Sequence, residues 1–356
     1  MAEDVIIKGD FLEGGGQIVR TALGLSVLLG KAFEVDSIRK GRKVPGLKAQ
    51  HLTAINALKE LCGAETSEVS LGSESLSFSP GKLTPRTLSV DIGTAGSITL
   101  LLQSLWVPLV LGGGKFRLKI KGGTDTKWSM PVDYLREVFV PQMKRYADVE
   151  ISVVRRGHYP KGGGEISLKI KGKYTLENLG EAPQISLFEQ GNLIQIKGVS
   201  HASSDLEGAN VAERQARAAK HLLTRLNVPV NIAAQYSETF STGSGITLWA
   251  VFSKAEDDID VANPILLGAD ALGERGKRAE VVGEDAAKKL LSEIESGAAV
   301  DSHLADNLVP FVALFGGGFK TSSLTDHTKT NVYAVEQFLG KCLEVDDVGS
   351  VVRKLS

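Results

Sequence analysis

Three times along this chain an apolar stretch runs into a glycine and restarts as a strand pattern at a phenylalanine. Leu23 to Leu29 ends at Gly30 before Phe33, Leu101 to Leu111 at Gly112 before Phe116, and Leu308 to Phe315 at Gly316 before Phe319. A helix stopped by glycine and followed by a strand is a single supersecondary unit, and its recurrence predicts an internal repeat. After the strand comes a polar loop and a second helix pattern. In the first unit it is carried by Leu52, Ile55, Leu58 and Leu61, in the second by Val132, Leu135, Val138 and Phe139, and in the third, in shorter form, by Val332 to Phe338. The first two units close with strand patterns, at Ser75 to Ser79 and at Val149 to Val154 followed by Glu165 to Ile170. The predicted unit is β-α-β-α-β-β, about 80 residues long.

The spacing of the repeats is uneven. Gly30 to Gly112 is 82 positions and Gly112 to Gly316 is 204, leaving roughly 120 residues extra in the last interval. Strand patterns at Gln184 to Phe188, Leu193 to Gly198, Val230 to Ala234 and Ile246 to Phe252, with a long helix over Asn210 to Leu226, predict a small α/β domain inserted there. The expected organisation is an α/β (α+β) protein. Residues 1–183 form a large domain with repeats one and two, 184–279 the insert, and 280–356 the third repeat and the tail.

Composition removes several classes of function. Lys plus Arg number 41 against 42 Asp plus Glu, so a nucleic-acid or membrane partner needs a local basic patch. Two cysteines, Cys62 and Cys342, lack the spacing of a zinc or disulfide framework and fit a reducing compartment. The start MAEDVIIKGD has neither a basic lead nor an apolar core, and no 18-residue apolar run follows. A soluble, cytoplasmic protein with no membrane partner is expected.

Four segments can carry chemistry. Gly14, Gly15 and Gly16 lead into a helix, which suits either a structural turn or a phosphate held by backbone N–H groups. Glu13 beside them suits a divalent metal or a helix cap. Arg39, Lys40, Arg42, Lys43 and Lys48 crowd the strand-to-helix loop of the first unit without an acid, where arginine forks can grip phosphate or simply be solvated. A second basic stretch, Arg155 to Gly164, reads as a nucleic-acid track or as a hairpin turn. Counting eight residues on from Phe33 and from Phe319 sets Gly41 opposite His327, so the basic loop and this histidine are expected to share a cleft. A neutral imidazole can attack phosphorus; an ordinary surface histidine is the alternative.

Several ordered strings then resemble the RNA 3'-terminal phosphate cyclases over nearly the whole length. They are Glu13 to Ile18, Ile38 to Leu52, Thr94-Ala95-Gly96-Ser97, Gly122-Gly123-Thr124, Tyr159 to Gly164, His303-Leu304-Ala305-Asp306, and His327 with Asn331. The resemblance implies a fold of three such units, like those of enolpyruvyl transferases, with a small inserted domain. It implies the ATP-dependent conversion of an RNA 3'-phosphate end to a 2',3'-cyclic phosphodiester through a histidine–AMP intermediate and an adenylated RNA end. It further implies His327 as the nucleophile and Glu13 as ligand of Mg²⁺ or Mn²⁺. Arg20, Arg39, Arg42 and Gln50 are implied at the phosphates, and Gln103 and Asp306 at the nucleotide. His303 stands where the family usually has a stacking tyrosine, Met130 followed by Pro131 where it has a proline, and Tyr134 at a nearby aromatic position. An imidazole and a thioether can still sandwich a purine, so adenine is expected to bind. The alternatives are a catalytically silent relative binding RNA in ribosome assembly, which lacks the histidine, and an enolpyruvyl transferase, which needs neither histidine nor insert. The oligomeric state is left open.

Overall fold

The computed structural model describes residues 4–12, 14–255 and 260–355. The first unit runs β1 (Val5–Lys8), α1 (Gln17–Leu29), β2 (Phe33–Asp36), α2 (Ala49–Cys62), β3 (Glu65–Thr66) and β4 (Leu76–Ser79). The second runs β5 (Thr87–Asp91), α3 (Ile98–Leu111), β6 (Lys115–Gly122), α4 (Val132–Tyr134), a π-helical turn (Leu135–Phe139), α5 (Val140–Met143), β7 (Ala147–Arg155) and β8 (Gly164–Gly172). The third begins with β9 (Ile185–Leu187). It is interrupted by the insert, comprising β10 (Asn192–Ser203), α6 (Val211–Leu223), β11 (Val230–Ser237), β12 (Ser244–Ser253), β13 (Ile265–Leu272) and α7 (Ala279–Glu295). It resumes with α8 (Ser302–Phe315), β14 (Gly317–Lys320), α9 (Asp326–Leu339), β15 (Leu343–Asp346) and β16 (Val351–Lys354).

The predicted repeat is borne out in the sheets. Their orders, β1-β2-β4-β3, β5-β6-β8-β7 and β9-β14-β16-β15, are one order three times, with the first pair parallel and the remaining pairs antiparallel. Parallel pairing of the first two strands requires a crossover, and α1, α3 and α8 supply it. These three helices are apolar on nearly every side and correspondingly buried along most of their length. They form the centre of the protein, while α2 and α9 cover them with one face each.

Two details differ from the sequence reading. Strand β9 pairs with β14, so it belongs to the third sheet rather than to the insert. Helix α7 packs on α6 and on β12 and β13, so the insert continues past residue 279 to the end of that helix. Its amphipathic pattern announces a buried face but cannot say which sheet receives it. Gly283 makes the close approach to α6 possible, since a Cβ there would lie 2.1 Å from the Gln215 carbonyl oxygen.

A third difference concerns register between repeats. Residues 37–48 separate β2 from α2, whereas only 321–325 separate β14 from α9, so counting from the phenylalanines misaligns the units. Counted from the helix starts, His327 is equivalent to Gln50 and Asp133, each the second residue of its helix. The segment Arg155–Gly164 closes the antiparallel β7–β8 hairpin, and its arginines are committed inside the protein. Arg155 donates to the Gly163 carbonyl at 2.7 Å and lies 4.4 Å over the Phe240 ring. Arg156 is buried.

Candidate active site

A cavity of about 340 Å³ opens where the N-terminal ends of α1, α8 and α9 meet. The partial positive ends of these helices favour an anion. Arg20, Gln103, Met130, His303, Asp306 and His327 line it, whereas the basic loop expected to share a cleft with His327 does not. Gln17, Trp128 and Asn307 line it too, as do Asp270 and Lys289 from the insert. The insert is therefore part of the cleft wall. A larger groove of about 670 Å³ on the insert's own surface has neither a carboxylate nor a histidine in its lining.

A chain of polar contacts organises the cleft. Gln17 donates its amide N–H to Asp306 Oδ2 at 3.2 Å, and its carbonyl Oε1 lies 2.8 Å from His327 Nδ1. An ionised carboxylate only accepts, so the Gln17 amide is held with its oxygen toward the histidine. Nδ1 then carries the proton and Nε2 the lone pair, a tautomer assigned from this network. Asn307 donates to Asp306 Oδ1 at 2.7 Å, and Asn331, bonded in turn by the Thr21 hydroxyl, donates to the Asp306 carbonyl oxygen. Burial pushes the Asp306 carboxyl above its ordinary range, against the pull of His327, His303 and Arg20.

Arg20 is buried beside the cleft. Its Nε donates to Gln103 Oε1 at 2.7 Å, and Gln103 donates onward to Asn307 Oδ1 at 2.9 Å. Its Nη1 lies 3.4 Å from Nε2 of His51, whose Nδ1 accepts the Lys48 backbone N–H at 3.0 Å. With Nδ1 accepting, His51 Nε2 carries the proton, so two donors face one another, an arrangement that an anionic oxygen between them satisfies. Burial, followed by the charges of Arg20, Arg39 and Lys48, holds the His51 pKa well below 6.5. Gly16 makes room here: a Cβ on it would fall 2.3 Å from His51 Nε2.

The cleft wall rests on Asp301. Its Oδ1 accepts from the Tyr134 hydroxyl at 2.6 Å and from the backbone N–H groups of His303 and Leu304, capping α8. Its Oδ2 accepts from the Gly268 N–H of the insert at 2.8 Å. One buried carboxylate thus ties the second repeat, the insert and the third repeat together.

A sequence model described as RNA 3'-terminal phosphate cyclase matches residues 11–345. Proteins named RNA 3'-terminal phosphate cyclase from Thermococcus onnurineus and Pyrococcus abyssi are 45% and 43% identical, each aligning over 96% of this chain and 95% of their own length. One of the same name from Saccharolobus solfataricus is 42% identical over 95% of both chains. The chain belongs to the RNA 3'-terminal phosphate cyclase family. It is an enzyme of that kind, which sets aside the enolpyruvyl transferase and the silent relative.

Within this cyclase the other expected residues that the structure describes lie outside the cleft lining. Arg39 spends its Nη1 on its own loop, donating to the carbonyls of Val44 and Gly46 at 2.8 and 3.0 Å. Arg42 is exposed and Gln50 half-buried near Gly96. Pro131 is the buried cap of α4. Tyr134 is fully buried and meets His303 edge-on at 6.2 Å, so it supports the wall from behind and has no face for a base. Glu13 lies outside the described residues. Gln17, Asn307 and Trp128 line the cleft, and buried His51 stands beside Arg20, without a role in the sequence reading. Gln17 and His51 sit inside the strings that carry the resemblance. Trp128 is 94% exposed at the cleft, a signal visible only once the fold is known.

Proposed function

We propose that this cyclase uses ATP to close RNA 3'-phosphate ends into 2',3'-cyclic phosphodiesters, with His327 as the nucleophile that carries AMP. The observation carrying this reading is the Asp306–Gln17–His327 chain, which orients the imidazole in the cleft with Nδ1 toward the Gln17 carbonyl. Nε2 attacks the α-phosphorus, the bond to the bridging oxygen breaks, and pyrophosphate leaves with the electron pair. An oxygen of the RNA 3'-phosphate then attacks the same phosphorus and breaks the P–N bond, regenerating the imidazole. The adjacent 2'-OH attacks the 3'-phosphorus, AMP departs, and the hydroxyl proton passes to solvent; proximity favours this last step.

Arg20 and the His51 N–H are the donors suited to the phosphate oxygens. His303 and Met130 are suited to the adenine, and exposed Trp128 offers a stacking face to a terminal base. A divalent ion would neutralise phosphate charge. Asp306 is poorly suited to hold it, because Gln17 and Asn307 occupy both its oxygens, and Glu13 remains the expected ligand. Among the described residues no helix is long and apolar enough to cross a membrane. The two free cysteines support a reducing, cytoplasmic setting.

The test is an RNA oligonucleotide bearing a 3'-phosphate, incubated with ATP and Mg²⁺ or Mn²⁺. The expected product resists phosphatase, and an end lacking the 2'-OH stops at the adenylated stage. Unchanged, phosphatase-sensitive RNA contradicts the proposal.

A further inference from the structure

A second polar cluster lies behind the cleft wall and has no part in the chemistry above. It gathers Asp125 from the connection between β6 and α4, His158 from the β7–β8 hairpin, and His201 from β10 of the insert. These residues are 3%, 4% and 1% exposed, and one ligand-type atom from each lies within 4.8 Å of the other two. His201 Nε2 is 3.2 Å from Asp125 Oδ1, and the two imidazoles stack at 5.5 Å with 13° between their planes.

The cluster is poorly satisfied by protein alone. His158 Nε2 and His201 Nδ1 have no hydrogen-bond partner among the described residues, and Asp125 Oδ1 faces only His201 Nε2, 3.2 Å away. A buried polar atom without a partner is destabilising, so a histidine nitrogen left bare beside a buried carboxylate calls for a ligand. Asp125 Oδ2 is otherwise engaged, accepting from the Thr124 hydroxyl at 2.7 Å and facing Arg156 at 3.4 Å. Arg156 is closer to Asp133, at 2.7 Å, so its charge is shared and Oδ1 is left turned to the histidines.

We propose that Asp125, His158 and His201 form a binding site for a divalent transition metal of the zinc class, fastening the insert to the second repeat. Two imidazoles and a carboxylate are a donor set suited to Zn²⁺, whereas Mg²⁺ and Ca²⁺ prefer oxygen ligands in larger number. Ligand atoms about 2.0–2.2 Å from a tetrahedral ion lie roughly 3.3 Å apart, close to the separation of His201 Nε2 and Asp125 Oδ1. His158 would reach the ion by turning its ring out of the stack with His201, and a water would complete the shell. The consequence is mechanical. Asp125 leads directly into Trp128, Ser129 and Met130, while the insert supplies Asp270 and Lys289, so the ion would lock two parts of the cleft wall to each other. The proposal goes beyond the catalytic reading and uses none of its steps.

The experiment uses the full chain, stripped with EDTA, exchanged into metal-free buffer and titrated with Co²⁺. The expected result is the visible ligand-field spectrum of four-coordinate cobalt at about one equivalent per chain, displaced by Zn²⁺ and not by Mg²⁺. Zn²⁺ also raises Tm. His201→Ala abolishes the spectrum. Because loss of a buried histidine endangers the fold, His158→Phe, which keeps an aromatic ring in the stack, is tested beside it with far-UV circular dichroism as the check. His327→Ala must retain the spectrum. Absence of four-coordinate cobalt in the wild type overturns the site, as does a spectrum that survives in folded His158→Phe or vanishes in His327→Ala.

Discussion

His327 Nδ1 lies 2.8 Å from the Gln17 side-chain oxygen, although the two residues are 310 positions apart and belong to the third and first repeats. The Gln17 amide is itself oriented by Asp306, so a carboxylate acts on the histidine through an intervening amide. Gln17→Ala removes the orienting acceptor and leaves the imidazole free to rotate. Adenylation should fall by about tenfold to a hundredfold, as for other lost orienting partners, with the circular dichroism spectrum unchanged. A single-turnover rate with labelled ATP measures it.

Arg20→Lys keeps the charge and loses the Nε–H that reaches Gln103. If Arg20 grips the phosphates as proposed, a planar fork is replaced by a flexible ammonium. The rate should drop by roughly a hundredfold, on the scale of removing one transition-state donor, with a smaller change in the affinity for ATP. Equal rates for the two proteins would remove Arg20 from the phosphate site.

Tyr134 and His303 are neighbours with opposite expected behaviour. Tyr134→Phe deletes the hydroxyl that bonds buried Asp301 and should cost about 1–2 kcal/mol in stability, leaving KM for ATP unaltered. His303→Ala, on the cleft itself, should raise KM for ATP with little effect on stability. Urea denaturation and steady-state kinetics on both variants separate wall from support.

His51 titrates far lower in the folded protein than its ordinary value near 6.5. Below about pH 6.5 the unfolded chain takes up a proton on this residue that the folded chain does not. Stability is therefore fully present above that pH and is lost as pH falls toward the folded value. His51→Gln should flatten the acid side of a plot of urea midpoint against pH. An unchanged slope would mean that His51 titrates normally.

The repeat was legible because glycine stops and phenylalanine starts recur at fixed offsets, and the three sheets share one strand order as a result. Part of the cleft's charged lining was legible through family strings that include Asp306 and His327. Loop length was not. The twelve-residue connection before α2 displaces any count that starts from β2, so His327 matches Gln50 rather than Gly41. Tyr134 illustrates a second limit, since an aromatic residue at a suggestive position can be spent on a buried hydrogen bond. Contacts between repeats, such as Gln17 with His327, depend on how helix ends converge and have no local signature.

The most direct test of the central claim is transfer of label from ATP carrying it in the α-phosphate, with a divalent ion and no RNA, to wild-type protein and to His327→Ala. The account predicts acid-labile label on the wild type, as a phosphoramidate requires, and none on the variant. A folded wild type that takes up no label with either Mg²⁺ or Mn²⁺, or a variant labelled as strongly as the wild type, would contradict it.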